Sequence, residues 1–245
     1  QHTLEGLSRG FARDVMPVVG GESYLASFAT FRSSDPGQDE PEGLVALVSE
    51  DGSIQDTLLT YPGPEGLVVR GDQFVAISRN PFGRSVAIHL TDGRVYYGRT
   101  DSLAVGIYDL EGTRVGGFQD PHEPVPITES DVEHAVTEQQ EADMSPEIIR
   151  GFVDALRAAV PETWPVFDRF LVDKRGRIWI DLTPRPETPN EWAIYEPDGA
   201  RAATFTMPAG FEGMAVRDDV LFGVETDEFN VPSIVAYRIE VDRGG

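Results

Sequence analysis

Four strand-rich units that follow one another along the chain predict an all-β fold of the β-propeller class. The clearest unit runs from Val166 to Pro208 and contains four short strand-like runs separated by turns such as Pro197-Asp198-Gly199. A related phrase recurs at the third strand and its exit turn, as LVSEDG (47–52), IYDLEG (107–112) and IYEPDG (194–199). A period of about 40 to 50 residues with four strands in each unit is typical of propeller blades.

The third unit also indicates how the blades pack. In its second strand, Ile178 and Ile180 point to one face and Trp179 points to the other. Both faces of that sheet therefore carry apolar side chains, as expected for a blade between two neighbours. A β-sandwich with a similar number of strands is the alternative, and the recurring turn phrase favours the propeller.

The remaining units are placed by their turns. The first begins at Asp14 and contains a polar segment, 33–43, whose Pro and Gly residues predict an exposed loop. Residues 65–82 predict an additional pair of strands, and the second unit follows over 85–119. The fourth unit begins near Phe211 and has only three strands in this sequence.

One segment, at about 128–160, interrupts the β pattern and predicts two inserted helices within a single domain, 1–245. Thr128 or Ser130 is suited to cap the first helix, and Ser145 followed by proline is suited to begin the second. The apolar residues of the second helix recur at helical spacing and form one face. We expect this pair to lie at the end of the propeller, where the chain connects two blades.

The composition excludes several classes of function. The chain carries 42 acidic and 20 basic residues, a net charge of −22, and Lys174 is its only lysine. A surface this acidic repels nucleic acid and anionic lipid. Cysteine is absent, which excludes disulfides and cysteine-ligated metal, and no apolar run is long enough to span a bilayer.

Several stretches resemble a family of bacterial six-bladed β-propeller proteins, NHL- or TolB-like and often described as lipoproteins. The resemblance extends over most of the chain from about residue 43. It is carried by these stretches: 57–65, 80–85, 106–112, 120–133 (DPHEPVPITESDVE), 170–180 (FLVDKRGRIWI), 192–199 and 206–239.

This resemblance implies a protein that is exported to the periplasm, the cell surface or the medium. It also implies that the chain is the C-terminal part of a six-bladed ring and holds about four blades, with a self-contained four-bladed ring as the alternative. The first residue is not methionine and no basic-then-apolar leader follows it, which predicts a removed targeting segment or a start inside a longer chain. No catalytic residue can be carried over from the family.

Four side chains are candidates for ligand binding: Arg79, Arg84, His122 and Arg169. Arg79 and Arg84 flank a loop that enters an inner strand, and Arg169 lies on a strand predicted to line the central channel. Arginines near one channel mouth would concentrate anionic or carboxylate ligands, whereas pairing with the many carboxylates is the simpler explanation. His122 has carboxylates close by in its loop and could bind a metal or act as a base.

We therefore predict a binding or interaction module for an unknown protein or small-molecule ligand, with no cofactor and no catalysis of its own. The alternative is a lactonase- or esterase-like hydrolase with a divalent metal in the central channel, and a structural envelope scaffold is a third possibility. The candidate metal ligands do not occupy equivalent positions along the first strands of their units. They are Asp168, Asp173, Glu212 and His89. Calcium could also bind the acidic segments 35–42 and 227–228, which lack the alternation of a dedicated calcium loop.

Overall fold

The structure, a computed structural model, describes residues 10–18, 23–30, 43–71, 74–91, 93–141, 144–182, 188–227 and 231–240. Within these residues the chain forms four antiparallel sheets of consecutive strands, one two-stranded hairpin and two helices. The predicted all-β propeller arrangement with four blades is confirmed.

Each blade is a meander in which neighbouring strands in the sequence pair with one another. The first blade holds β1 (Gly10–Pro17), β2 (Ser23–Thr30), β3 (Gly43–Ser49) and β4 (Ile54–Tyr61). The second holds β7 (Val86–Thr91), β8 (Arg94–Arg99), β9 (Ala104–Tyr108) and β10 (Arg114–Gln119). The third holds β11 (Phe167–Val172), β12 (Ile178–Leu182), β13 (Asn190–Tyr195) and β14 (Arg201–Met207). The fourth holds, in the part that the structure describes, β15 (Glu212–Arg217), β16 (Val220–Thr226) and β17 (Pro232–Arg238).

The observed first strand differs slightly from the prediction, because β1 begins at Gly10 rather than at Asp14. The predicted loop at 33–43 lies, up to residue 42, outside the described residues.

The first strand of each blade packs beside the first strand of the next, in the order β1, β7, β11 and β15. These four strands are therefore the innermost ones, and the others extend outward from them. Apolar side chains fill each interface, and at the third blade Ile178 and Ile180 pack toward the second blade while Trp179 packs toward the fourth. This alternation confirms that both faces of the third blade are covered.

The recurring turn phrase has a conformational reason. Gly52, Gly112 and Gly199 adopt φ values of 88°, 73° and 91°, the left-handed region that glycine enters without a steric penalty. At the turn between the first and second strands, the second and third blades carry Gly93 and Gly176 with φ values of 82° and 79°, whereas the fourth blade carries Asp218 and Asp219 with φ values of 50° and 63°. Aspartate tolerates this region better than most residues but still at a cost.

The hairpin and the two helices form a small core of their own. The hairpin consists of β5 (Gly66–Arg70) and β6 (Val75–Arg79), and the helices are α1 (Glu129–Glu141) and α2 (Pro146–Ala158). The structure places α2 directly against β5, so closely that a Cβ on Gly151 would lie 2.7 Å from the carbonyl oxygen of Arg70. This approach explains a glycine inside a helix. The buried residues of this core are Leu67, Val69, Phe82, Val132, Ala135, Val136, Phe152, Leu156 and Trp164.

Both helices begin where the sequence places a cap. Thr128, rather than Ser130, caps α1: its backbone N–H donates to Asp131 Oδ2 at 2.8 Å, and the Asp131 N–H donates to Thr128 Oγ1 at 3.3 Å. The hydroxyl of Ser145 accepts from the backbone N–H of Ile148 at 3.4 Å, with Pro146 as the first residue of α2. In the described ranges neither helix has the length and apolar character needed to cross a membrane.

Candidate ligand site between the third and fourth blades

Two of the four predicted ligand-binding residues meet at one carboxylate. Arg79, at the end of β6, places Nη2 at 3.3 Å from Asp168 Oδ1, and Arg169 places Nε at 3.0 Å from Asp168 Oδ2. The register of β11 against β12 shifts between Phe167 and Arg169, which makes Asp168 the extra residue of a β-bulge. Bulges re-aim side chains, and this one lets two consecutive charged side chains, Asp168 and Arg169, contact each other.

The guanidinium of Arg169 is only partly engaged. Its Nη1 lies 3.5 Å from the carbonyl oxygen of Gly213, and its Nη2 lies 4.0 Å from Glu212 Oε2, both in β15 of the fourth blade. Hydrogen bonds to a guanidinium are normally near 2.9 Å, so these are weak contacts. The Arg169 side chain is 39% exposed, and its Nη atoms are therefore available to a better acceptor. We refer to Arg79, Asp168, Arg169 and Glu212 as the Arg169 cluster.

Behind this cluster lies Asp181, which is not among the residues predicted from the sequence to bind a ligand. Asp181 sits in β12 directly opposite Arg169 of β11 and opposite Trp192 of β13. It is 3% exposed, and its Oδ1 is buried without a hydrogen-bond partner in the described part of the chain. Burial, reinforced by the charges of Asp168 and Glu212 and opposed by Arg169, raises the pKa of Asp181 to about 7. The available signal was an aspartate within an otherwise apolar strand, Ile178–Leu182.

Arg84 does not join the Arg169 cluster. Its Nη2 donates to Thr163 Oγ1 at 3.0 Å and its backbone N–H donates to Glu65 Oε2 at 2.8 Å. These bonds fix the loop that enters β7 against the segment that leads into β11. In the structure Arg84 thus connects elements of the fold.

His122 also lies elsewhere, beside a contact between the second and third blades. Its Nε2 is buried and makes no hydrogen bond to any described residue. The neighbouring Asp120 accepts a hydrogen bond from Tyr195 Oη at 2.7 Å and one from Arg201 Nε at 3.0 Å. The bond from Tyr195, followed by the contacts with Arg201 and His122, lowers the pKa of Asp120.

The candidate metal ligands are not brought together as one set. Asp168 and Glu212 lie on either side of Arg169, but Asp173 lies at the opposite end of β11, where its Oδ2 accepts from Arg177 Nε at 2.6 Å. His89 lies on β7. Burial lowers the pKa of its imidazole, and the charge of Asp14, which acts in the opposite direction, only partly offsets this effect. Across the described ranges, no three His, Asp or Glu side chains are arranged to hold one metal ion.

The two acidic segments add little to this picture. Segment 35–42 and Glu228 lie outside the described residues. Asp227 Oδ1 accepts the backbone N–H of Val231 at 2.9 Å, a bond within the loop between β16 and β17.

Comparison with known proteins assigns neither a family nor a function to this chain. No family model matches this sequence, and no curated protein matches it. Among solved structures, the crystal structure of a calcium-binding protein, regucalcin, from Agrobacterium tumefaciens strain C58 is similar at 12% identity with a TM-score of 0.37. The match covers 88% of this chain and 53% of that one, so the chain spans about half the length of that protein. This likeness is too weak to transfer an activity or a ligand.

Proposed function

We propose that this chain is an exported binding module without catalysis of its own, and that the Arg169 cluster is its ligand site. The supporting observation is the state of Arg169 on an innermost strand, partly exposed and held by Nη contacts of only 3.5 and 4.0 Å. A guanidinium that served only to hold two blades together would be expected to make short, well-aligned bonds.

The charges of the cluster suggest the chemistry of the ligand. The planar Nη edge of Arg169 suits a carboxylate or a similar planar acceptor. Glu212 and Asp168, within reach of the same guanidinium, suit a cationic or hydrogen-bond-donating group. A small zwitterion, such as an amino acid or the end of a peptide, presents both groups at once.

A thermal-shift screen tests this proposal. The probes are size-matched carboxylates, amines and zwitterionic amino acids at constant ionic strength, applied to the wild type, Arg169→Gln and the control Arg99→Gln. Arg99 forms an exposed surface pair with Asp101 and carries the same charge. We expect zwitterions to raise Tm in the wild type and the control but not in Arg169→Gln. Equal shifts in all three proteins, or no shift with any probe, would contradict the proposal.

The second candidate function is the metal-dependent hydrolase, and one observation favours it. Asp168 and Glu212 lie close enough to Asp181, beside the innermost strands, for their charges to raise its pKa. Calcium takes six to eight oxygen ligands, and these carboxylates would supply part of such a set. A rise in Tm of several degrees with Ca²⁺, lost in Asp181→Asn, would favour this candidate. A Tm indifferent to Ca²⁺ would favour the binding module.

We also propose that the four blades belong to a six-bladed, NHL- or TolB-like ring. The outer face of the fourth blade supports this, because Met214, Phe222 and Ile234 are apolar and exposed where the other described interfaces are covered by a further blade. Small-angle scattering of the purified chain should then fit an open arc rather than a closed four-bladed ring. Detection of the native protein in periplasmic or surface fractions would test the export.

A further inference from the structure

The β5–β6 hairpin leaves one edge of its sheet unpaired. Among the described strands, β6 pairs with β5 alone. The Gly71 N–H donates to the carbonyl oxygen of Phe74 at 3.0 Å, which makes these two residues a hydrogen-bonded pair. Because such pairs alternate along an antiparallel ladder, the N–H and C=O groups of Val75, Ile77 and Arg79 point away from β5. No other backbone group in the described part of the chain bonds to them.

This edge lacks the features that protect the outer strands of the blades. The pairing of the outer strands β4, β10 and β14 is interrupted by shifts in register. In the fourth blade, β17 begins with Pro232, which has no N–H to donate. Bulges and prolines at a sheet edge hinder pairing with a further strand. The register of β6 against β5 is regular and β6 contains no proline, so β6 is the edge best suited to accept another strand.

The side chains along this edge are accessible, apolar and cationic. Val75 is 62% exposed and Ile77 is 42% exposed, and Ala76, which points to the other face, is exposed as well. On the face of Val75 and Ile77, Arg70 lies directly opposite Val75, and Arg79 follows at the end of the strand. The two strands carry no acidic residue, although the net charge of the chain is −22. This combination suits an extended peptide that carries an anionic group.

The strand leads directly to the Arg169 cluster. β6 ends at Arg79, whose Nη2 lies 3.3 Å from Asp168 Oδ1. The other oxygen of the same carboxylate lies 3.0 Å from Arg169 Nε. The last residue of β6 and the partly engaged guanidinium of Arg169 are thus separated by a single carboxylate. A strand added parallel to β6 would have its C-terminus at this point.

We propose that β6 binds the C-terminal segment of a peptide as an added parallel strand, with the terminal carboxylate at the Nη edge of Arg169. Main-chain hydrogen bonds to Ile77 and Arg79 supply affinity, and the Arg169 cluster selects a free peptide end. A cationic side chain on the last residue lies within reach of Glu212, which is 69% exposed. The role of Arg169 rests on the proposed function, and pairing with β6 is the addition made here.

Fluorescence anisotropy with synthetic hexapeptides tests the proposal. Six extended residues span about 20 Å and cover the five residues of β6. The probe alternates valine and threonine, ends in lysine with a free carboxylate, and carries a fluorophore on its N-terminus. We expect the wild type to bind the C-terminal amide of this peptide about tenfold more weakly or worse, because a charge-assisted contact is lost.

Two further peptides test the strand pairing itself. Each carries N-methyl groups on one of the two sets of alternate residues. The carboxylate fixes the register, so only one set of N–H groups faces β6. One N-methylated peptide should therefore lose binding, and the other should keep it.

Variants of the chain locate the site. Ile77→Pro removes an N–H from the open edge without breaking a bond to β5, because Ile77 and Val68 form a non-hydrogen-bonded pair. The matched control Ile77→Ala removes the side chain and keeps the N–H. We expect Ile77→Pro to abolish binding and Ile77→Ala to weaken it by less than about tenfold. Arg169→Gln should bind acid and amide equally, whereas Arg99→Gln, at the exposed pair with Asp101, should behave as the wild type.

The proposal is overturned if the free acid does not bind the wild type, if both N-methylated peptides bind like the parent, or if Ile77→Pro binds like Ile77→Ala. The N-methylated peptides keep the test decisive if Ile77→Pro does not fold. Equal binding of acid and amide with the edge effects intact would overturn Arg169 as the ligand site and leave the pairing with β6. Amino acids that raise Tm without any peptide binding would support the proposed function and overturn the pairing.

Discussion

The Nε atom of Arg177 lies 2.6 Å from Oδ2 of Asp173, and the two side chains are only 4% and 2% exposed. The same carboxylate oxygen accepts from Trp179 Nε1 at 3.2 Å, and the same guanidinium reaches Asp219 in the next blade. The turn of the third blade and the turn of the fourth are thus joined by one buried, hydrogen-bonded charge network. This network also explains how Asp219 is held at a positive φ.

Removing Arg177 should therefore be costly. Arg177→Met leaves Asp173 buried without its ion pair, and breaking a buried pair from one side lowers the free energy of unfolding by about 3–5 kcal/mol. Urea denaturation measures this change. Arg99→Met, at the exposed pair with Asp101, should cost less than about 1 kcal/mol. Similar losses in the two variants would contradict the role assigned to the buried network.

Tyr195 should titrate well above the usual range of a tyrosine. Burial and the hydrogen bond to Asp120 raise its pKa to about 12, whereas an unfolded tyrosine has a pKa of about 10. The folded chain thus keeps a proton that the unfolded chain loses, and stability falls as pH rises between these values. Absorbance near 295 nm should show a component titrating near 12 that Tyr195→Phe removes and Tyr24→Phe, at a more exposed position, retains.

The same Tyr195→Phe substitution should weaken the contact between the second and third blades. It deletes one hydrogen bond to a charged acceptor, worth about 1.5–3 kcal/mol. Urea denaturation at pH 8, below both pKa values, isolates this loss from the titration. A stability equal to that of the wild type would show that Arg201 alone satisfies Asp120.

Gly223 should not tolerate a side chain. A Cβ at this position would lie 2.4 Å from the carbonyl oxygen of Glu212 and 2.5 Å from the ring of Phe211. Gly223→Ala should therefore lower the free energy of unfolding by about 1–3 kcal/mol through overpacking. At Gly116 the nearest atom would be 3.5 Å away, so Gly116→Ala should change stability by no more than about 0.5 kcal/mol. Comparable effects at both positions would argue against the close packing of β15 on β16.

The outer face of the fourth blade should promote self-association. Ile234 is 84% exposed on β17, and exposed apolar sheet faces tend to pair. Ile234→Ser should reduce the average mass measured by light scattering at high protein concentration without lowering the urea midpoint. Leu221→Ser, on the covered face of the same blade, should instead lower the midpoint strongly. An unchanged mass for Ile234→Ser would show that this face is inert.

The blades could be predicted from the sequence because the information is local. Alternating apolar residues and a turn with glycine at a positive φ specify a meander within about forty residues. Within the third blade, Ile178 and Ile180 on one face and Trp179 on the other indicate that both faces of the sheet are covered. The arrangement of α2 against the β5–β6 hairpin was less accessible, since it depends on contacts between segments about eighty residues apart. Gly151 is a residue type that normally destabilises a helix, and here it permits that contact.

The candidate site could be predicted only in part, for a similar reason. Arg79 and Arg169 were selected from their place near inner strands, and the structure joins them through Asp168. Asp181 was missed because its environment is set by the register of three strands and by Glu212 from the next blade. The position of a residue relative to a predicted loop does not indicate which carboxylate becomes buried in the folded chain.

The strict nearest-neighbour pairing of strands within every blade has a consequence for biosynthesis. Each meander closes only short loops, so the entropy lost before its first contacts form is small. We expect each one to fold soon after its own residues leave the ribosome and to stack on the one made before it. Translation arrested between two blades would then leave whole meanders, whereas arrest within a blade would expose an unpaired strand edge for chaperones to shield.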